Sequence, residues 1–263
     1  MSGFDSGWLA LREPADKAAR AESLVGRLAT FLDGLSGPTI MDIGCGTGST
    51  YRSLSGWVPE TARWQLVDHD QRLLAEAERR IGRAAVSYRR EDLTDLGSLD
   101  LAGVDLVTAS AFFDLCSPAF CNDLVKRLTG QGTGLYAALT YDGRIEWSER
   151  HERDGEIVRA FNRHQRGDKG FGAALGPRAA AHLESALASR GYRIERADSS
   201  WRLDHTQSAL QDAFLHGMMA PVAEVSDLGR DALDAWLDFR LGKVRDGGQL
   251  VVGHIDLLAL PRL

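Results

Sequence analysis

Short apolar runs alternate with amphipathic segments of helical length over most of the chain. The runs predict strands at about 39–43, 64–67, 85–88, 105–109 and 134–140. Strands separated by segments long enough to cross the sheet are typical of parallel pairing through right-handed crossovers. The pattern therefore predicts a doubly wound α/β fold with a mostly parallel sheet.

Apolar residues at intervals of three and four predict the helices that cover this sheet. One helix is expected over 16–35, before the first strand. Another begins after Asp70 as its N-cap and stops at Gly82. Ser117 and Pro118 open the helix between the fourth and fifth strands, because serine caps a helix and proline suits its first turn.

The last third of the chain departs from this simple alternation. A helix over 177–190 leads to a sixth strand at 192–197, and 250–258 is the seventh strand. Residues 143–176 and 200–248 are extra segments, the second with two amphipathic helices of its own. We expect these two insertions to form a helical cap beside the sheet.

The composition is that of an ordinary globular protein. A chain of 263 residues, 44% hydrophobic and 26% charged, is large enough to bury a core and shows neither disorder nor repeats. No leader pattern and no apolar stretch of about 18 residues is present, so we expect a cytoplasmic protein without a membrane partner. The net charge of −6 argues against broad attraction to nucleic acid. No feature sets an oligomeric state.

The number and spacing of the cysteines argue against two further classes of protein, those held by disulfides and those with a structural zinc site. The chain has three cysteines, Cys45, Cys116 and Cys121, without a Cys-x-x-Cys pair. An odd number without paired spacing argues against a disulfide framework and against a structural zinc site. No spacing of histidines and acids indicates another metal, so we predict reduced thiols and no metal.

The most informative segment is 40–49, Ile-Met-Asp-Ile-Gly-Cys-Gly-Thr-Gly-Ser. An apolar run ends in an acid, Asp42, and glycines follow at alternate positions, Gly44, Gly46 and Gly48. A chain that leaves a buried strand with so much backbone freedom usually wraps around a ligand. A dinucleotide loop needs Gly-x-Gly-x-x-Gly, and here the third glycine comes one residue early. A nicotinamide oxidoreductase is therefore disfavoured.

This segment resembles the first motif of the class I S-adenosylmethionine-dependent methyltransferases. Three more stretches match that family in order and spacing over 39–140: Asp68, Asp92 within Glu91-Asp92-Leu93, and the stretch 110–114. The resemblance implies a Rossmann-like sheet of seven strands, mostly parallel with the last strand antiparallel. It also implies S-adenosyl-L-methionine as cofactor and S-adenosyl-L-homocysteine as product.

The family's motifs also imply where the cofactor binds. The glycine loop faces its amino-acid end, Asp68 accepts the ribose hydroxyls, and Asp92 receives the adenine amino group. Separately from the family's motifs, Arg12 and Trp8 in the N-terminal segment are candidates for a lid, with Arg12 meeting the cofactor carboxylate. An ordinary surface helix is the alternative for this segment. The predicted cofactor-binding residues are Asp42, Gly44, Cys45, Gly46, Gly48, Asp68, His69, Asp92, Leu93, Ser110, Ala111 and Arg12.

The acceptor site is predicted from the polar segment after the fifth strand. A proton acceptor is needed only where the nucleophile must lose a proton, and the candidates are His164, Tyr141, Asp114 and His254. We expect His164 first, because it lies in the insertion that leaves the cofactor edge. A solvated polar loop is the alternative. The predicted substrate-binding residues are Phe113, Asn162, Arg163, Arg166 and Lys169, whose cations suit a carboxylate or phosphate on the acceptor.

Two polar residues on the last strand have a different expected role. His254 and Asp256 alternate on the seventh strand and so share one face of it. We predict that both are structural.

Together these features predict one domain over 1–263: a helical segment or lid at 1–37, a cofactor-binding core at 38–142, and the two insertions as an acceptor cap. The predicted function is methyl transfer by direct displacement to a small, anionic metabolite. An RNA or protein methyltransferase is the first alternative. A noncatalytic cofactor-binding or scaffold domain is the alternative from another class, and its hallmark is an intact loop without an acceptor pocket.

Overall fold

The computed structural model describes residues 6–262. The helices are α1 (Ser6–Ala19), α2 (Glu22–Asp33), α3 (Ser49–Leu54), α4 (Gln71–Ile81), α5 (Pro118–Gln131), α6 (Asp154–His164), α7 (Ala179–Ala188), α8 (Ser208–Val225) and α9 (Arg230–Arg245). The strands are β1 (Thr39–Ile43), β2 (Arg63–Asp68), β3 (Val86–Arg90), β4 (Leu106–Ser110), β5 (Gly134–Trp147), β6 (Arg193–Asp198), β7 (Trp201–Leu203) and β8 (Leu250–Leu260). Within 6–262, no helix is long and apolar enough to cross a membrane.

The sheet has the strand order β3-β2-β1-β4-β5-β8-β6. Strands β1 to β5 are parallel, and β8 lies antiparallel between β5 and β6. This confirms the predicted Rossmann-like, doubly wound fold with an antiparallel last strand. The structure adds one short strand, β7, which pairs with β8 and is too brief for an alternation pattern to show. The winding direction changes between β1 and β4, and ligands of such sheets bind at that point.

Three apolar clusters hold the layers together. One contains Leu124 of α5 and Leu183 of α7 on one face of the sheet. Another contains Leu28 of α2 and Leu74 of α4 on the opposite face. A third surrounds Trp236 of α9 and joins the two insertions to the extended end of β5. The helical cap therefore has its own core.

The single helix expected over 16–35 is wrong, because the chain forms two helices there. Ala21 is extended between them, with φ −72° and ψ 98°, and its N–H donates to Asp256 Oδ2 at 3.0 Å. The carboxylate takes the amide that a continuous helix would use. The break turns Arg20 inward, where only 7% of the residue is exposed.

The first insertion is more regular than its polar sequence indicates. Strand β5 continues to Trp147 instead of ending near residue 140, and α6 follows. Arg240 of α9 is buried against this insertion: it contacts the Asp154 carboxylate, donates to the Glu149 carbonyl at 2.8 Å and lies 4.2 Å from the Trp147 ring centre. The buried guanidinium fixes α9 to α6 and joins the insertions into one cap.

A fully buried carboxylate on β8 connects three parts of the fold. Besides the Ala21 amide, Asp256 accepts hydrogen bonds from Tyr136 Oη at 2.6 Å and from Leu139 N at 2.8 Å. Leu139 has a left-handed backbone, φ 51°, at an irregularity in the pairing of β5 with β8. Asp256 therefore has the structural position expected of it.

Replacing Asp256 with alanine should lower the free energy of unfolding by about 3 kcal/mol or more, because three buried donors lose their acceptor. Chemical denaturation measures the change. The control is Asp198→Ala on β6, which removes a carboxylate that is half exposed and paired with Arg144. It should cost about 1 kcal/mol or less. Equal losses in the two variants would contradict this account.

Candidate active site

A cleft of about 1020 Å³ lies beyond the carboxyl ends of the central strands. Gly44 and Gly46 line one end, and Phe214 and Met218 of α8 line the other. The crevice at the switch point and the cap therefore enclose one continuous space.

The glycine loop needs glycine for both conformation and space. Gly44, Gly46 and Gly48 have φ of 61°, 54° and 81°, in the left-handed region that side chains disfavour. A Cβ on Gly44 would lie 2.9 Å from the Phe112 ring, and one on Gly48 would lie 2.5 Å from Ile81. The loop therefore presents backbone to the cleft, and Gly48 supports it from behind.

Asp68, at the end of β2, holds this loop and keeps spare acceptor capacity. Its Oδ2 accepts from Gly46 N and its Oδ1 from Asp70 N, both at 2.9 Å. His69 Nδ1 lies 3.3 Å from the same Oδ1. A carboxylate has about four acceptor positions, so those that remain suit the two hydroxyls of a ribose.

Asp92 and Leu93 lie farther along the same wall of the cleft. Asp92 Oδ1 accepts from Thr94 N at 2.9 Å and from Thr94 Oγ1 at 2.8 Å. These hydrogen bonds lower the pKa of Asp92, so it is ionised and can accept from an exocyclic amine. Leu93 is buried and supplies apolar surface beside it.

Asp42 supports the loop from beneath and does not line the cleft. Its Oδ1 accepts from Thr108 Oγ1 at 2.7 Å, and burial raises the pKa of the carboxyl to about 7 against the opposing effects of Thr108 and Arg20. Arg20 donates to Ser110 Oγ at 3.3 Å and to Thr50 Oγ1 at 3.4 Å. The helix break at Ala21 thus delivers a buried cation below the crevice, which the sequence pattern did not reveal.

Helix α1 packs over the loop, in the place expected of a lid. Glu13 pairs with Arg52 at 2.6 Å and with Arg80 at 3.3 Å, which ties α1 to α3 and α4. Arg12 lines the cleft, with its guanidinium paired to Asp16 at 2.8 and 3.1 Å. A cofactor carboxylate at Arg12 would therefore share the guanidinium with Asp16.

Asp114 and Tyr141 lie on the floor of the cleft. Asp114 is 8% exposed, and its Oδ1 has no hydrogen-bond partner among the residues that the structure describes. Burial raises the pKa of Asp114 to about 6, while its own backbone and the charge of Arg12 oppose the rise. Tyr141 Oη donates to Asn162 Oδ1 at 2.8 Å, and burial raises the pKa of this phenol. Asn162 therefore positions Tyr141 and does not line the cleft itself.

His164 bridges the two insertions at the end of α6. Its Nδ1 lies 3.1 Å from Lys169 Nζ and its Nε2 lies 3.2 Å from Glu224 Oε2. An ammonium can only donate, so Nδ1 accepts and the proton on Nε2 faces the carboxylate. Desolvation lowers the pKa of Lys169, which lines the cleft together with His164.

Four of the five predicted substrate-binding residues do not line the cleft: Asn162, described above, and Phe113, Arg163 and Arg166. Phe113 is fully buried in the core, and Phe112 lines the cleft in its place. The Arg163 guanidinium contacts the Val225 carbonyl, and Arg166 packs against Gly176. The helix α6 continues to His164, so neighbouring side chains in this segment point in different directions. The prediction treated the segment as a polar loop and could not anticipate these directions.

The structure places three further aromatic side chains at the cleft. Sequence reasoning missed Trp201 and Phe214, and it favoured a structural role for His254 over that of a proton acceptor. Trp201 belongs to the three-residue strand β7, and α8 gives Phe214 no signal that separates it from an ordinary core residue. The position of His254 on the strand that pairs with β5 was a signal that could have placed it at the cleft. Over residues 6–262, no group of three or more histidines, cysteines or acids is arranged to hold a metal ion.

A protein-family model described as a methyltransferase domain matches residues 40–132, the segment that contains the loop, Asp68 and Asp92. The chain therefore contains a methyltransferase domain, on a sheet with the strand order of the doubly wound fold. The residues present fit S-adenosylmethionine as cofactor, because the glycines open the loop backbone to the cleft and the carboxylates beyond β2 and β3 keep free acceptor positions.

Solved structures share the fold of this methyltransferase. A cyclopropane-fatty-acyl-phospholipid synthase-like protein from Lactobacillus casei is 14% identical, with a TM-score of 0.57 over 99% of this chain and 95% of that chain. The YcgJ protein from Bacillus subtilis is 10% identical, with a TM-score of 0.52 over 92% of this chain and 100% of that chain. No curated protein sequence matches the chain. Identities this low show the fold alone.

The Asp68→Asn variant of the methyltransferase should bind S-adenosylmethionine about 10-fold more weakly or worse, because an amide loses the charge-assisted acceptors for the loop and the ribose. Isothermal titration calorimetry measures the affinity. Asp70→Asn is the matched control: Asp70 caps α4 outside the cleft, and asparagine caps equally well. A similar affinity loss in both variants would remove Asp68 from the cofactor site.

Proposed function

We propose that this methyltransferase acts on a small molecule held between the glycine loop and the helical cap. The observation that carries the proposal is the single cleft with the loop at one end and α8 at the other. Its volume, about 1020 Å³, is at the upper limit of the roughly 300–1,000 Å³ usual for one ligand. The cleft therefore suits the cofactor and an acceptor together.

The helical cap bounds the acceptor space. Strand β5 supplies Tyr141, α6 supplies Phe161 and His164, and α8 supplies Phe214, all on the lining of the cleft. The contact between His164 and Glu224 spans the two insertions. An enclosed space of this kind favours a small acceptor over a macromolecular one, and it also distinguishes the chain from a domain that only binds the cofactor.

When bound, S-adenosylmethionine supplies an electrophilic methyl group on a sulfonium. The chain's own contribution is to orient the acceptor and, where the nucleophile carries a proton, to accept that proton. Of the four predicted candidates, Asp114 supports this role best, because it lines the cleft and its buried Oδ1 is unpartnered within the described residues. His164 already has partners at both ring nitrogens, and the Tyr141 hydroxyl donates a hydrogen bond to Asn162 Oδ1, so we assign both to positioning.

Binding of the predicted anionic group of the acceptor depends on Lys169. Of the three cations expected to bind it, Lys169 lines the cleft, whereas Arg163 and Arg166 face other parts of the protein. His164 Nδ1 holds the Lys169 ammonium by accepting a hydrogen bond from it. An acidic substituent within reach of that ammonium would complete the ion pair.

A labelled methyl group from S-adenosylmethionine should enter the small-molecule fraction of a cell extract, and the product should be retained by an anion exchanger. Lys169→Ala should reduce this product about 10-fold or more because the paired charge is lost. The matched control, Arg166→Ala, should leave it unchanged. Label in RNA or protein, with none in the small-molecule fraction, would overturn the proposal.

For an acceptor that must lose a proton, kcat/KM should rise with pH through about 6, since Asp114 accepts a proton only as the carboxylate. Below that pH the rate should fall about tenfold per unit. Asp114→Asn should remove this rise and lower kcat about 10²- to 10⁴-fold, with S-adenosylmethionine affinity retained. A variant that keeps both the rate and the profile would exclude Asp114 as the proton acceptor.

A further inference from the structure

Five aromatic side chains form a closed ring at the cap end of the cleft. Successive ring centres are separated by 6.3 Å from Trp201 to Phe214, 6.3 Å from Phe214 to Phe161, 6.0 Å from Phe161 to Tyr141, 6.2 Å from Tyr141 to His254 and 5.1 Å from His254 to Trp201. All five line the cleft, and each comes from a different element. We call this group the aromatic ring wall.

The wall is fixed by contacts outside it. Trp201 Nε1 donates to Asp16 Oδ1 at 2.9 Å, and the Arg12 guanidinium lies 5.0 Å from the centre of the Trp201 ring. The Tyr141 hydroxyl is held by Asn162. Four of the rings are at most 7% exposed, and the five pack edge to face or tilted against one another. The wall is therefore a rigid aromatic surface, which suits a planar ligand better than a flexible one.

Two buried polar atoms at this end of the cleft lack partners among residues 6–262: Asp114 Oδ1 and His254 Nδ1. Both side chains are more than nine-tenths buried and both line the cleft. Burial lowers the pKa of His254 to about 3, with the charge of Arg12 acting in the same direction, so the imidazole is neutral at pH 7. Buried polar groups without partners are costly, so a ligand that satisfies them gains affinity.

We propose that the aromatic ring wall is the acceptor subsite and selects a planar aromatic molecule whose hydroxyl or amino substituents hydrogen-bond to the unpartnered Asp114 Oδ1 and His254 Nδ1. This inference rests on the proposed function and names the class of acceptor. An anionic substituent of the same molecule is the group that faces Lys169.

A long acyl chain fits this subsite poorly. It would fill the apolar space but leave the carboxylate and the imidazole buried without partners. A hydroxyl or an amino group can donate to a carboxylate and also pair with either tautomer of a neutral imidazole. The two unpartnered atoms therefore favour a protic aromatic over an aliphatic acceptor.

The test measures binding and not turnover. With S-adenosylhomocysteine bound, calorimetry compares 6-hydroxyquinoline and 6-aminoquinoline with the capped 6-methoxyquinoline, and with dodecanoate as the acyl probe. At least one protic probe should bind about 10-fold or more tightly than the capped probe and than dodecanoate. Comparison of 6-hydroxyquinoline with 6-aminoquinoline identifies which protic group the site prefers.

Two variants connect this preference to the named atoms. Asp114→Leu and His254→Phe should each reduce the ratio between protic and capped probes toward one, with S-adenosylhomocysteine affinity unchanged. Loss of general packing would weaken all probes equally and leave the ratio intact, which would overturn the assignment. Equal binding of protic and capped probes to the unaltered protein, or tighter binding of dodecanoate, would also overturn it. Failure of S-adenosylhomocysteine to bind at all would instead overturn the proposed function.

Discussion

One buried carboxylate determines how the N-terminal helices, the central strands and the antiparallel strand meet. Asp256 accepts from the Ala21 amide, the Tyr136 hydroxyl and the Leu139 amide. The first contact ends α1 and turns Arg20 under the glycine loop. The third fixes Leu139 in a left-handed conformation, beside the cleft that it lines. The shape of the site therefore follows from satisfying this single acceptor.

Unlike Asp256, several buried polar atoms in and beneath the cleft have no hydrogen-bond partner. Asp42 Oδ2 beneath the loop, and Asp114 Oδ1 and His254 Nδ1 on the lining, have no partner within the described part of the chain. Burial raises the pKa of both carboxyls and lowers that of the imidazole. A fold that keeps such atoms near a cavity gives up stability in exchange for ligand recognition.

Signals between neighbouring residues in the sequence were sufficient to predict much of the cofactor-binding core. The apolar run before Gly44, the cap at Asp70 and the Ser117-Pro118 start each depend on neighbours in sequence, and the structure has each of them. The break at Ala21 was missed because its cause lies 235 residues away, in Asp256. The directions of Arg163 and Arg166 were missed for a related reason: they depend on where α6 ends and on the groups that meet it there, the Val225 carbonyl and Gly176.

The sequence by itself determined the doubly wound sheet, the loop and the acids that follow β2 and β3, because hydrophobic period, glycine spacing and strand-end position are properties of short segments. Only the tertiary structure decided which side chains face the acceptor space. Trp201, Phe214 and His254 come from a short strand, a helix and the last strand, and they meet at one wall because β8 lies between β5 and β6 and pairs with β7. Contacts among such distant segments depend on how the whole chain packs, which no local pattern encodes.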